Sequence, residues 1–323
     1  MRLGVISTAR INRAVIPAAK ESPKVDLTAV ASRSRETARA YAQEWGIPTA
    51  HGSYEALLED PAVEAVYISL PNSLHVEWSV RALEAGKHVL CEKPLDRRAA
   101  EVERAFDAAE RAGRILLEGF MYRHHPQTKR LSELVAGGRI GELRLVRSSF
   151  SFPLDDLENA RLRPELDGGS LMDVGCYCIS GSRLLAGEPE VALGRQVLGR
   201  SGVDVRFAGT LVFPGEVVAQ FDCGFDLADR SELEAIGSDG VLRAPSPWLI
   251  RESLLELRRG DALERIEVSD ADHYRLELEN LSDAIRGEAE PLLGRADALG
   301  QARTIEALYR SAEGGGGPVA IRP

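Results

Sequence analysis

Lys93, Asp173 and Tyr177 are the residues of this chain whose types and settings point to chemistry. Lys93 lies in Cys91-Glu92-Lys93-Pro94-Leu95, on a strand-to-helix loop after the short apolar run His88 to Cys91. Asp173 and Tyr177 lie in Gly168-Gly169-Ser170-Leu171-Met172-Asp173-Val174-Gly175-Cys176-Tyr177. Their i, i+4 spacing puts them on one face of a helix that the glycine pair introduces. A tyrosine can give and take a proton, and a nearby ammonium favours the phenolate and lowers its pKa. With a carboxylate added, this is the equipment of an alcohol–carbonyl redox site. Asp173 has two readings of equal weight: it orients substrate, or it stabilises its own helix near the positive end of the dipole.

The elements that must carry these residues change character along the chain. Up to residue 121 short apolar runs (Leu3 to Ser7, Leu27 to Ala31, Val63 to Leu70, His88 to Cys91, Ile115 to Phe120) alternate with amphipathic helices. Continuous apolar strands between helices predict a parallel sheet covered on both faces. From Tyr122 onward the pattern differs. Glu142 to Phe152 alternates with period two, and hairpin signals at Pro214-Gly215, Ser238-Asp239-Gly240 and Gly260-Asp261 break up Val191 to Val268. These predict an antiparallel sheet, followed by helices over Tyr274 to Arg286 and Ala296 to Ala312. The fold class expected is α/β: a doubly wound Rossmann domain at 1–121, and an α/β domain with a mostly antiparallel sheet at 122–323.

Composition narrows the class. The chain has 323 residues and a formal charge of −10, which argues against nucleic acid or an anionic membrane as partner. No apolar run reaches the length of a membrane span, and the N-terminus reads directly as a strand, so a cytoplasmic protein is expected. The four cysteines, Cys91, Cys176, Cys178 and Cys223, read as buried thiols rather than a disulfide framework. Cys176 and Cys178 are spaced too closely for a zinc knuckle, and the adjacent His124 and His125 cannot easily ligate one ion, so no metal site is expected.

A dinucleotide would be held where the first strand turns into the first helix. The glycine positions of the usual turn are taken here by Ser7, Ala9 and Asn12. Small residues still let the backbone approach, and Ser7 and Thr8 could donate to phosphate oxygens. At the end of the second strand stands Ser32-Arg33-Ser34-Arg35, with no acid to hold a ribose 2′-hydroxyl. Arginine matches phosphate geometry, although a solvated basic turn opening the next helix would read the same way. The two loops together favour NADP over NAD.

Several motifs carry a family resemblance over essentially the whole chain: Glu92-Lys93-Pro94, Pro71-Asn72-x-x-His75, and the Gly168–Gly175 helix start. With Phe120-Met121-Tyr122-Arg123-His124-His125-Pro126-Gln127, they make the chain resemble the Gfo/Idh/MocA oxidoreductases. Within that family it is most similar to the NADP-dependent sugar dehydrogenase, glucose–fructose oxidoreductase and dimeric dihydrodiol dehydrogenase branch. The resemblance implies that Lys93 and Tyr177 are the catalytic pair, with Asp173 nearby. Cofactor contacts are expected from Ser7, Thr8, Ala9, Arg10, Ile11, Ser32, Arg33, Leu70, Pro71, Asn72, His75, Glu92 and Lys93, with His75 read either beside the nicotinamide or only as the start of its helix. A pocket outside the carboxyl ends of the parallel strands is expected to offer substrate contacts from Tyr122, Arg123, His124, Asp173 and Tyr177, with Tyr274 and His273 of the C-terminal domain as weaker candidates. The resemblance also implies a homodimer or homotetramer built through an open C-terminal sheet. Many members carry histidine where this chain has Tyr177, which counts against an inositol-dehydrogenase-like mechanism. The substrate expected is a sugar; the alternatives are a trans-dihydrodiol, a non-catalytic NADP-binding sensor, and an NAD-retaining glycoside-cleaving enzyme. Retention of both Lys93 and Tyr177 speaks against the sensor, and the missing acid after the second strand against the glycosidase.

Overall fold

The computed structural model describes residues 1–322. The chain forms β1 (Arg2–Ile6), α1 (Asn12–Glu21), β2 (Asp26–Ala31), α2 (Arg35–Trp45), β3 (Thr49–His51), α3 (Tyr54–Leu58), β4 (Ala65–Ile68), α4 (His75–Glu84), β5 (His88–Glu92), α5 (Ala99–Ala112) and β6 (Leu116–Gly119). These strands make one parallel sheet in the order β3-β2-β1-β4-β5-β6. This is the doubly wound order, in which the direction of winding reverses between β1 and β4, and ligands bind at the carboxyl ends of the strands there. The apolar runs become these strands because both faces are covered: Leu3, Val5, Val30, Tyr67, Leu90 and Leu117 are buried with Val15, Ile16 and Ala19 of α1. Gly4 lets β1 pass closely, since a Cβ there would lie 3.0 Å from side-chain carbons of Leu57 and of Val63. The sequence reading passed over β3 and α3, which are too short to show a period.

After these come α6 (Pro126–Ala136), β7 (Leu143–Ser151), α7 (Cys176–Ala186), β8 (Val191–Leu198), β9 (Asp204–Val212), β10 (Val218–Gly224), β11 (Arg230–Gly237), β12 (Val241–Ala244), β13 (Leu254–Arg259), β14 (Ala262–Glu267), α8 (His273–Ile285), α9 (Arg295–Glu313) and β15 (Val319–Ala320). A nine-stranded sheet runs β14-β13-β12-β11-β7-β10-β9-β8-β15, antiparallel except for the β7–β10 pair. One series of alternating residues is buried, including Val146, Phe150, Phe221, Leu233 and Leu242. The other series carries cross-strand charge: Arg230 pairs with Asp222 at 2.6 Å, and Arg243 with Glu232 at 2.8 Å and Glu256 at 3.4 Å. That charged face forms a shallow groove of about 700 Å³, lined among others by Arg147, Asp222, Glu232 and Glu234.

The chain divides into two compact units. The first holds Met1–Asp96, Ala100–Met121 and Asp272–Leu299; the second holds Arg97–Ala99, Tyr122–Ala271 and the chain from Gly300 onward. The sequence reading gave all of 122–323 to one domain, and the return of α8 to the first unit departs from that. The physical reason is its apolar face. Leu278 and Leu281 join the cluster of Val15 and Tyr67, Lys24 pairs with Asp283 at 2.7 Å, and Ser282 donates to the Lys24 carbonyl at 3.0 Å. Periodicity marks α8 as amphipathic without saying which core receives it.

Candidate active site

In the first unit the loop after β1 is built without the usual glycine. Ser7 has φ 109°, a conformation that side chains disfavour, and three hydrogen bonds hold it there. Its hydroxyl lies 2.9 Å from the Ser69 carbonyl and 2.8 Å from the Ser69 hydroxyl, and it accepts from Ala9 N at 3.1 Å. The fully buried Asn12 closes the network, donating to the Ser7 carbonyl at 3.0 Å and accepting from Ser69 Oγ at 2.7 Å. The expectation that Ser7 offers its hydroxyl to phosphate is therefore corrected: that hydroxyl is buried and engaged. Among the described residues, the N–H groups of Thr8, Arg10 and Ile11 donate to no protein acceptor, at the positive end of the ten-residue helix α1. An anion fits such an end.

Beside this loop a cleft of about 510 Å³ is lined by Thr8, Ala9, Arg10, Arg13, Glu36, Thr37, Ala40, Tyr41 and Glu44, with Arg13 paired to Glu44 at 3.5 Å. At the end of β2, Ser32 is buried, Arg33 is exposed, and the Ser34 hydroxyl accepts from Thr37 N at 3.3 Å as the cap of α2. Arg33 is thus presented outward by a capped turn. Arg13 joins Arg10 at the same cleft; sequence reasoning missed it because it stands one residue inside the helix. Open backbone donors and a cleft beside them suit the pyrophosphate of a dinucleotide, and the exposed Arg33 at the end of β2 suits an additional phosphate.

Lys93 lies just beyond β5, half-buried, on a loop gripped at three points. Tyr67 donates to Glu92 Oε1 at 2.6 Å, Leu95 N donates to Glu118 Oε1 at 2.8 Å, and His75 sits between two carbonyls. Its Nδ1 is 2.8 Å from the Pro94 oxygen and its Nε2 2.8 Å from the Leu70 oxygen. Burial pushes the His75 pKa down and prevails over the two carbonyls, which favour the protonated ring. His75 therefore staples the Leu70-Pro71-Asn72 turn to the Lys93-Pro94 peptide, which is cis. Neither Glu118 nor Tyr67 was visible as a site residue, because each reads as part of an ordinary apolar strand. Tyr274 packs on the core of this unit beside Glu277, a fully enclosed acid whose pKa burial and then Glu92 raise well above the carboxylate range.

In the second unit the glycine pair has a steric cause. The strap before it doubles back, so a Cβ on Gly168 would lie 2.4 Å from the Arg161 carbonyl oxygen, and Gly169 has φ 127°. The helix expected from Asp173 to Tyr177 begins differently from the reading. Leu171–Gly175 form a π turn, and α7 starts at Cys176. Such wide turns occur frequently at functional sites. Asp173 accepts from Arg161 Nε at 2.6 Å, an ion pair between residues too far apart in sequence for spacing to suggest. Tyr177 is only 5% exposed. Its ring centroid is 5.4 Å from that of Phe150, 5.8 Å from Tyr122 and 5.9 Å from Trp248. Tyr122 is buried and donates to Ser180 at 2.8 Å, and Arg123 reaches the same hydroxyl at 3.3 Å, so both brace α7. His124, half-buried, ends the 3₁₀ turn Met121–His124.

Comparison with known proteins bears on these two half-sites. Residues 1–120 match the family model described as "Oxidoreductase family, NAD-binding Rossmann fold", and residues 128–243 match the GFO/IDH/MocA C-terminal domain. The chain belongs to the Gfo/Idh/MocA oxidoreductases. It is 42% identical to D-xylose 1-dehydrogenase (NADP(+)) 2 of Haloferax volcanii, over 98% of each chain. Among solved structures, aldose-aldose oxidoreductase from Caulobacter crescentus, complexed with glycerol, superposes with a TM-score of 0.92 at 28% identity over 99% of each chain. KijD10, a 3-ketoreductase from Actinomadura kijaniata in complex with NADP and TDP-benzene, does so with 0.91 at 32% identity, over 96% of this chain and 97% of that one. This Gfo/Idh/MocA protein is thus an oxidoreductase with a nicotinamide-binding domain of doubly wound order. No helix among the described residues is long and apolar enough to cross a membrane.

Proposed function

We propose that this protein is an NADP-dependent sugar oxidoreductase in which Tyr177 exchanges the proton of the reacting hydroxyl and Lys93 stabilises its phenolate. The observation that carries the reading is the fixation of Tyr177. Its phenol is buried among three aromatic rings on a helix that Tyr122 and Arg123 brace. Lys93 is likewise held on a loop anchored through Glu92, Pro94 and Leu95. The nicotinamide, when bound, supplies the two-electron acceptor or donor. The backbone N–H groups of Thr8, Arg10 and Ile11 would receive the pyrophosphate, and Arg33, with Ser32 beside it, the adenosine 2′-phosphate. NADP is the cofactor of the xylose dehydrogenase relative and was bound in the ketoreductase structure, which supports the same choice here.

The substrate class rests on the polar residues of the segments that carry and brace Tyr177. Arg123, His124 and the Arg161–Asp173 pair can each match a hydroxyl, and a ligand lacking one would leave a polar group unpaired. An aldose oxidised at its anomeric carbon to the lactone, or a keto-sugar reduced in the reverse sense, suits them. NADP⁺ reduction against D-xylose, D-glucose, inositols and a benzene trans-dihydrodiol, with NAD⁺ alongside, tests the reading. It predicts the highest kcat/KM for an aldose with NADP⁺; a clear preference for the dihydrodiol contradicts it.

The charged face of the nine-stranded sheet is, in the same reading, where copies of the chain associate. Arg147 and Arg243 stand among Glu232, Glu234 and Glu256 there, so the face offers charges of both signs to a second copy, as an isologous interface requires. Sedimentation analysis should find a dimer or tetramer; a monomer at micromolar concentration removes this element.

A further inference from the structure

Asp204, the first residue of β9, is 2% exposed and takes no part in the chemistry proposed above. Its Oδ2 accepts from Ser170 Oγ and from Leu171 N, both at 2.7 Å, and its Oδ1 accepts from the Tyr309 hydroxyl at 2.9 Å. The carboxylate reaches these donors only because Gly169 has no side chain: a Cβ there would lie 2.3 Å from Asp204 Oδ1 and 3.1 Å from the Tyr309 oxygen. Burial raises the Asp204 pKa, while Ser170, Leu171 N and Tyr309 oppose that by hydrogen bonding to the anion. Tyr309 is itself held. The Arg97 guanidinium lies over its ring, 4.8 Å from the centroid, and Arg97 pairs with Asp167, which immediately precedes the glycine pair.

Between Ser170–Leu171 and Tyr177 there is only the π turn, and that turn has no slack. A Cβ on Gly175 would lie 2.8 Å from Cys223 Sγ and 2.8 Å from Leu171 Cδ1. A shift at Leu171 must therefore pass along the turn into α7. From these contacts we infer that Asp204 is a positioning residue for Tyr177: it pins the start of the turn, and through it fixes where the phenol stands. The inference rests on Tyr177 being the acid/base group.

A double-mutant cycle tests it on the full-length protein: Asp204→Asn, Tyr177→Phe and the pair together, with kcat, KM for NADP and melting temperature measured for each. Asparagine keeps the volume but offers one acceptor oxygen to three donors and no charge, so at least one of Ser170, Leu171 N and Tyr309 faces an amide N–H. Because a displacement of about 1 Å can lower turnover about 10²-fold, Asp204→Asn should lose roughly that much kcat with KM for NADP unchanged. The double variant should be no slower than Tyr177→Phe alone. Tyr309→Phe removes one of the three bonds and should lose less, in the same direction; it decides the matter if Asp204→Asn does not fold. A folded Asp204→Asn with wild-type kcat, or losses that multiply in the double variant, overturns the inference while leaving the Tyr177 assignment intact. Wild-type kcat in Tyr177→Phe overturns both.

Discussion

The hydroxyls of Ser7 and Ser69 lie 2.8 Å apart, one residue beyond the paired ends Ile6 and Ile68 of β1 and β4. They close the point where the sheet changes winding direction, and Asn12 locks them from α1. A turn ordinarily made by glycine is thus made by a side-chain network that holds serine in a disfavoured conformation.

Removing the lock should expose that strain. Asn12→Ala leaves the buried Ser7 carbonyl without that donor and Ser69 Oγ with only the Ser7 hydroxyl and the more distant Ile6 carbonyl, a loss that typically costs about 1–3 kcal/mol. Denaturant unfolding should show a loss of that size, and KM for NADP should rise because the loop that receives the pyrophosphate is no longer fixed. Ser7→Gly in the Asn12→Ala background should recover part of the loss, since glycine adopts positive φ without strain. A double variant as unstable as Asn12→Ala alone would remove Ser7 strain from the account.

Much of this architecture could be read from residues alone. Strand-helix alternation through Phe120 gave the parallel sheet, since strands buried on both faces must be apolar throughout. The glycine pair and Tyr177 marked the second half-site. The Asn12–Ser69 and Arg161–Asp173 pairs were hidden because they join residues brought near by tertiary folding, where neither period nor spacing reports. The destination of α8 was hidden for a related reason: Leu278 and Leu281 show an apolar face, and only packing chooses its partner. The π turn was hidden because nothing in Leu171–Gly175 distinguishes it from an α turn.

Cofactor choice should rest on Arg33. Loss of a charge-assisted contact to the 2′-phosphate is worth about 1.5–3 kcal/mol. Arg33→Ala should accordingly raise KM for NADP by more than tenfold and leave NAD kinetics nearly unchanged. Equal effects on the two cofactors would place Arg33 in the support of the fold or at the pyrophosphate instead.

Glu277 predicts a pH dependence of stability. Its carboxyl is 2% exposed, its Oε1 has no hydrogen-bond partner, and burial raises its pKa above that of the unfolded chain. A raised folded pKa contributes stability below the unfolded value of about 4.3, and that contribution is lost as pH rises. Glu277→Gln, neutral at every pH, should therefore stabilise the protein by about 1–3 kcal/mol at pH 8 and hardly at all at pH 4. A gain of equal size at both pH values would show that Glu277 does not titrate differently in the folded state.

The central claim, that Tyr177 moves the proton, is tested most directly by the turnover of Tyr177→Phe on the best aldose, with NADP affinity measured by fluorescence titration. Phenylalanine keeps the ring and its contacts with Phe150, Tyr122 and Trp248 and removes only the hydroxyl. A positioned acid/base group contributes about 10²–10⁴-fold, so kcat should fall by that factor while NADP affinity stays at the wild-type value. Near-normal kcat in a folded, NADP-binding Tyr177→Phe protein would contradict the account.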